Sequence, residues 1–72
     1  MTISRERAER IARAHACVGC KEYTYRKMTV AEATPALQRE FGEVWHATLI
    51  CGVCRMHQEL GIDGDGDVVY VT

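Results

Sequence analysis

No long apolar run occurs in this chain. The opening residues, Met1-Thr2-Ile3-Ser4-Arg5-Glu6-Arg7, have none behind them, and no later stretch approaches membrane-spanning length. The expectation is a chain with no secretory signal and no membrane span, whose thiols meet a reducing cytoplasm. Charge of one sign is also lacking: nine Lys/Arg against ten Asp/Glu leave a net charge of −1. That balance excludes a strong general binder of phosphate backbones, which needs a clearly basic domain. There is no internal repeat, low-complexity tract or linker, so the 72 residues read as one domain. Nor is there a Ser/His/Asp set, a paired-carboxylate cleft or a phosphate-binding loop. No catalytic residue is named, and no enzyme is expected.

A hydrophobic content of 47% with 26% charged residues excludes disorder. Even so, a chain this short has a core that rarely supplies more than about 3–5 kcal/mol, so a staple is needed. Disulfides are rare in a reducing compartment, which leaves a metal. The sequence holds four cysteines as two C-x-x-C pairs, Cys17-Val18-Gly19-Cys20 and Cys51-Gly52-Val53-Cys54, with thirty residues between them. A C-x-x-C turn folds back and points two sulfurs the same way. Two such turns close a tetrahedron around one ion. A redox dithiol would instead need one C-x-x-C opening a helix in a βαβ pattern, which is missing here. Four thiolates leave no open position for water, so one structural Zn2+ held by Cys17, Cys20, Cys51 and Cys54 is expected, with a non-catalytic role. Sulfur ligands alone do not separate zinc from iron.

The elements around these pairs follow from local signals. Thr2 or Ser4 caps a helix through about residue 15, with Glu6–Arg10 and Glu9–Arg13 spaced for ion pairing and an apolar stripe of Ile3, Ala8, Ile11, Ala12 and His15. Residues 22–30, rich in aromatic and β-branched types, read as a strand. Thr34, Pro35 and Gly42 cap, start and end a two-turn helix. Residues 44–50 form a second strand leading into Cys51, with Trp45 turned to the core and His46 to solvent. Asp63-Gly64-Asp65-Gly66 is a turn between a segment near residues 56–62 and a last strand over 68–71. As a calcium loop it lacks Gly at the sixth position and the twelfth-position Glu. The fold class is a small α+β metal-stabilised domain with a three- to four-stranded antiparallel sheet.

This succession of knuckle, hairpin and knuckle over Ala16–Tyr70 resembles the four-cysteine zinc ribbons of transcription factors, RNA polymerase subunits and the zinc-binding halves of some bacterial antitoxins. The resemblance implies a zinc-ribbon domain spanning 1–72, with an N-terminal helix over 1–15 and the ribbon over 16–72. It also implies a regulatory or adaptor role on a protein of the transcription or translation machinery. Ribbon knuckles commonly place Gly after the second Cys, where this chain has Lys21 and Arg55. Those two cations offset the excess negative charge of a four-thiolate site. The spacing is also similar to that of rubredoxin, which implies an iron electron carrier as an alternative. The rubredoxin knuckle Gly and Pro are missing here, and aromatics make up only 7%.

Charge is unevenly spread along the chain. Residues 1–30 carry seven Lys/Arg against three Glu, a net +4, and residues 31–72 carry two Arg against seven acids, a net −5. The candidate interaction surface is Arg5, Arg7, Arg10, Arg13, Lys21, Arg26 and Lys27 with Tyr23 and Tyr25, the tyrosines able to stack on bases. A protein partner leads and nucleic acid is an alternative. The bland reading is a solvated helix laced with ion pairs. His57, three residues past Cys54, reads as a strand or surface residue rather than a ligand. His15 reads as a helix end, where a cation suits the dipole.

Overall fold

The computed structural model describes residues 2–72. Ser4 starts the first helix, α1 (Arg5–Arg13), by accepting a hydrogen bond from the Arg7 backbone N–H at 3.2 Å. The far end closes with the backbone N–H of Ala14 donating to the Arg10 carbonyl and that of His15 to the Ala12 carbonyl. Ala8 and Ala12, four apart and therefore on one face, are fully buried. Two methyl-sized side chains let the helix lie close on the sheet, while Ile3 and Ile11 pack at the flanks.

The sheet is an antiparallel meander of β1 (Tyr25–Glu32), β2 (Glu43–Cys51), β3 (His57–Asp63) and β4 (Val68–Val71), in the order β1-β2-β3-β4. The β1–β2 connection contains α2 (Pro35–Phe41). There Thr34 Oγ1 accepts from the Leu37 N–H, Pro35 opens the helix, and Gly42 closes it at φ 71° in the left-handed region. Asp63 organises the β3–β4 turn: its carboxylate accepts from the N–H groups of Asp65 and Asp67, each at 2.9 Å. Each pair of neighbouring strands carries one register shift: between Tyr25 and Lys27 in β1, between Glu43 and Trp45 in β2, and beside Gly61 and Ile62 where β4 pairs with β3. Bulges of this kind bend the strands and re-aim side chains.

One sheet face meets α1 through Val30, Ala47, Leu49, Leu60 and Ile62. Among the described residues only Leu49, Leu60 and Ile62 are large, fully buried apolar side chains. At roughly 1.5–3 kcal/mol each, they contribute far less than the ordering of some seventy residues costs. Trp45 joins this face, and its indole N–H donates to the Ile3 carbonyl at 2.9 Å.

Two expectations are adjusted. The first strand starts at Tyr25 rather than Glu22 and runs on to Glu32, because the backbone before Tyr25 belongs to the first knuckle. The Glu6–Arg10 and Glu9–Arg13 ion pairs do not form. Among the described residues the carboxylates pair only with His46. An exposed i,i+4 pair is worth only a few tenths of a kcal/mol, too little to hold two long side chains against hydration.

Candidate metal centre and flanking basic surface

Cys51 is the last residue of β2 and is buried where the strand ends. The chain then turns through Gly52 and Val53 and comes back, so the Cys51 N–H donates to the Met56 carbonyl at 3.0 Å. The first knuckle repeats the plan: the Cys17 N–H donates to the Glu22 carbonyl at 2.8 Å and the Lys21 N–H to the Cys17 carbonyl at 2.9 Å. The knuckles are also tied to each other and to the sheet. Gly52 N–H donates to the Thr24 carbonyl at 2.9 Å, and Val18 N–H donates to Oε1 of the buried Gln58 at 3.1 Å. A Cβ on Gly19 would lie 2.8 Å from the Met56 methyl, so that turn has room only for glycine unless Met56 moves.

The four sulfurs meet between the knuckles. Cys17 Sγ lies 3.5 Å from Cys54 Sγ, Cys20 Sγ lies 3.5 Å from Cys51 Sγ, and all four fall within 4.8 Å of one another. Ligands about 2.3 Å from a tetrahedral ion sit roughly 3.8 Å apart, so the cluster fits one metal ion. No other group of three or more His, Cys, Asp or Glu converges this way among the described residues. The four thiols do not ionise alike. The N–H groups of Cys54 and Val53 point at Cys51 Sγ and lower its pKa to about 6. The Cys20 N–H holds Cys17 down in the same way. Cys20 is pushed up to about 12: the backbone at Glu22 favours its thiolate, but burial and the sulfurs of Cys51, Cys54 and Cys17 outweigh that. Cys54 also rises, because its neighbour Cys17 and burial overcome the Met56 backbone contact. Four thiolates in one cluster repel, so a divalent cation is what lets all four ionise.

No protein-family model matches the chain, and neither a curated protein nor a solved structure shows a significant match to it.

Lys21 and Arg55, standing where ribbon knuckles commonly have glycine, adopt φ 66° and 63°. They are the described non-glycine residues in the left-handed region, where a Cβ crowds the carbonyl at a cost of roughly 1–2 kcal/mol. Substituting either by glycine is expected to stabilise the metal-loaded protein by about 1 kcal/mol, read as a higher urea midpoint at unchanged slope. A lower midpoint would show that the side-chain charge beside the thiolates outweighs the backbone strain.

The expected interaction residues fall into separate groups. Arg13 of α1, Tyr23 just before β1, and Tyr25, Arg26 and Lys27 at its start surround one surface cavity of about 350 Å3 with Met28. Arg7 and Arg10 border a shallow depression beside Ile11 and Ala14. Arg5 is drawn away to the Trp45 ring, its guanidinium carbon 5.6 Å from the centroid. Lys21 belongs to the knuckle. The two tyrosines differ: Tyr23 is 62% exposed, whereas the Tyr25 hydroxyl donates to the His15 carbonyl and the ring packs on the core. Burial, opposed by Gln58, raises the Tyr25 pKa. His57 opens β3 and is exposed. His46 lies on the sheet face away from α1, but in a hydrogen-bonded group with Glu43, Glu59 and Tyr70 rather than free in solvent. Neither Gln58 nor this group was legible as functional, since both depend on strand pairing.

Proposed function

We propose that the protein is a non-catalytic, zinc-stabilised binding module of zinc-ribbon type, a regulatory or adaptor protein acting on a component of the transcription or translation machinery. One Zn2+ held by Cys17, Cys20, Cys51 and Cys54 would have no vacant position for water or substrate, which suits a structural ion. The observation that carries the binding role is the cleft between α1 and β1. There Arg13, Arg26 and Lys27 stand around Tyr23 without a carboxylate partner among the described residues. Three unpaired cations beside an exposed ring are complementary to an anionic surface, and Tyr23 favours nucleic acid as the second reading, its ring free to stack on a base.

The test is a titration of metal-loaded protein with single- and double-stranded oligonucleotides at 50 and 200 mM salt. Nucleic-acid binding through this cleft predicts an affinity that falls with salt, and a slope about three units shallower in the Arg13→Ala, Arg26→Ala, Lys27→Ala triple variant. Undetectable binding at both salts would remove nucleic acid and leave an acidic protein surface as the partner. Elemental analysis is expected to give one zinc per chain in colourless material. Red protein absorbing in the visible would replace this reading with an iron electron carrier.

A further inference from the structure

The sheet face turned away from α1 carries a group of side chains that the metal centre does not use. In the sheet register His46 of β2 pairs with Gly61 of β3, which pairs with Tyr70 of β4, and Glu59 lies two residues from Gly61. The β2 bulge beside Glu43 puts this glutamate under the same group, although regular alternation would send residues 43 and 46 to opposite faces. His46 Nδ1 lies 3.1 Å from Glu43 Oε1 and 3.0 Å from the Tyr70 hydroxyl, and Nε2 lies 2.6 Å from Glu59 Oε1. Over them opens a cavity of about 410 Å3, walled by Leu37 and Phe41 of α2 and the Tyr70 ring, with His46, Glu59 and Thr72 completing it. The Phe41 and Tyr70 rings are inclined at 50° with centroids 4.8 Å apart, and Phe41 is left 43% exposed.

The charges in this group do not close. His46 lies between two carboxylates, and their hydrogen bonds outweigh its own desolvation, so its pKa is raised. Burial, reinforced by Glu43, holds Tyr70 in its protonated form, pushed up to about 12. One imidazole, which can supply at most a single positive charge, therefore faces two glutamates. Glu43 is 1% exposed, and its second oxygen is buried without a hydrogen-bond partner. Glu59 stands at the rim with its side chain 42% exposed. No lysine or arginine pairs with either glutamate among the described residues. An anion would be repelled here, and a neutral apolar guest would leave the surplus charge uncompensated. The nitrogen and oxygen atoms also do not converge as metal ligands do. What remains complementary is a positive group that prefers ring faces to bulk water.

We propose that this pocket binds an organic cation on an apolar stem, a guanidinium or alkylammonium group, with Glu59 as its charge partner and Phe41 and Tyr70 as its ring walls. The stem lies along Leu37 and Phe41, and the head reaches Glu59. The chemistry is that of an arginine or lysine side chain in a partner segment, or of a free amine. The pocket is separate from the basic cleft between α1 and β1, so it stands or falls independently of the binding role proposed above.

The test uses the zinc-loaded, 15N-labelled 72-residue protein titrated with agmatine, with an acetylated and amidated Gly-Arg-Gly tripeptide, and with the same tripeptide carrying citrulline. The expected result is saturable amide shifts centred on Phe41, His46, Glu59 and Tyr70 with the cationic probes and none with citrulline, which keeps the shape and removes the charge. Tighter binding of the tripeptide than of agmatine assigns a partner segment as the source, and the reverse assigns a free amine. Glu59→Gln is expected to weaken binding about tenfold, the size of one lost charge-assisted hydrogen bond. Phe41→Leu, on an exposed ring far from the cysteines, is expected to weaken it several-fold while the rest of the spectrum stays wild-type. Citrulline shifts equal to those of arginine, no saturable shift with any probe at millimolar concentration, or unchanged affinity in both variants would overturn the proposal.

Discussion

Stripping the metal with a strong chelator at neutral pH is expected to abolish the sheet signal in circular dichroism and collapse the dispersion of amide resonances. One equivalent of zinc should restore both. The size of the effect follows from two magnitudes. The apolar side chains wholly out of water are Leu49, Leu60 and Ile62 with small alanines around them, a core that leaves little net stability after conformational entropy is subtracted. A structural zinc contributes on the order of 10 kcal/mol of binding free energy, which is folding free energy when the site does not exist in the unfolded chain. The knuckles also carry more than themselves. The Cys51 pair sets where β2 ends and β3 begins, and Gln58 and Thr24 tie both turns to the sheet. Losing the ion removes the charge that lets all four sulfurs ionise together, and with it the bond between the two knuckles at the point where β1, β2 and β3 meet. Cys51→Ser should reproduce most of the loss even with zinc in excess, because it replaces a buried thiolate, on which the Val53 and Cys54 N–H groups converge, by a hydroxyl that stays protonated at neutral pH. A chelated sample with an unchanged spectrum and an unchanged thermal midpoint would sink the claim that the metal holds the fold.

What could be read from the residues alone is what they determine locally. Two C-x-x-C turns place four sulfurs by short-range geometry, so the cluster was legible before any strand was paired. Thr34, Pro35 and Gly42 each act within a few bonds of themselves, and the helix between them stands where their chemistry puts it. The first strand was misread at its start because β-prone residues were claimed by something non-local. The Glu22 carbonyl serves the Cys17 N–H and the Thr24 carbonyl serves the Gly52 N–H, so pairing as a strand begins only at Tyr25. Glu and Arg placement misled in a similar way on α1, where favourable spacing did not make ion pairs. The least legible feature is the β2 bulge. Glu43 stands just outside the strand read over residues 44–50, regular alternation would send it to the face opposite His46, and only one extra residue in the pairing brings the carboxylate to the imidazole. A bulge depends on the partner strand, and no property of Val44 announces it.

Gly61→Ala is expected to destabilise the zinc-loaded protein by about 3 kcal/mol, although a glycine inside a strand is ordinarily improved by a side chain. Gly61 lies in the middle of β3, between His46 and Tyr70 in the register, and its backbone is not left-handed. The constraint is therefore space and not conformation. A Cβ there would overlap Glu43 Oε2 and Tyr70 Cε2 and stand 2.9 Å from Tyr70 Cδ2, closer than real Cβ contacts come. Neither neighbour yields cheaply. Glu43 is buried beneath the sheet surface with its other oxygen on His46, and Tyr70 is held by the Phe41 ring and by His46 Nδ1. Overpacking of this kind costs about 1–3 kcal/mol, and each hydrogen bond forced open at a buried charged group adds about 1.5–3 kcal/mol. The strand-propensity gain of up to about 1 kcal/mol cannot offset that. Urea denaturation in excess zinc measures the loss, and a double-mutant cycle assigns it. If the overlap is the cause, Tyr70→Ala removes the ring's share of it and leaves Glu43 room to shift, and Gly61→Ala in that background should cost at least 1 kcal/mol less than alone. A Gly61→Ala protein as stable as the parent, with Tyr70 resonances unmoved, would mean that the glutamate and the ring are free to shift, and that the His46 group is looser than its contacts indicate.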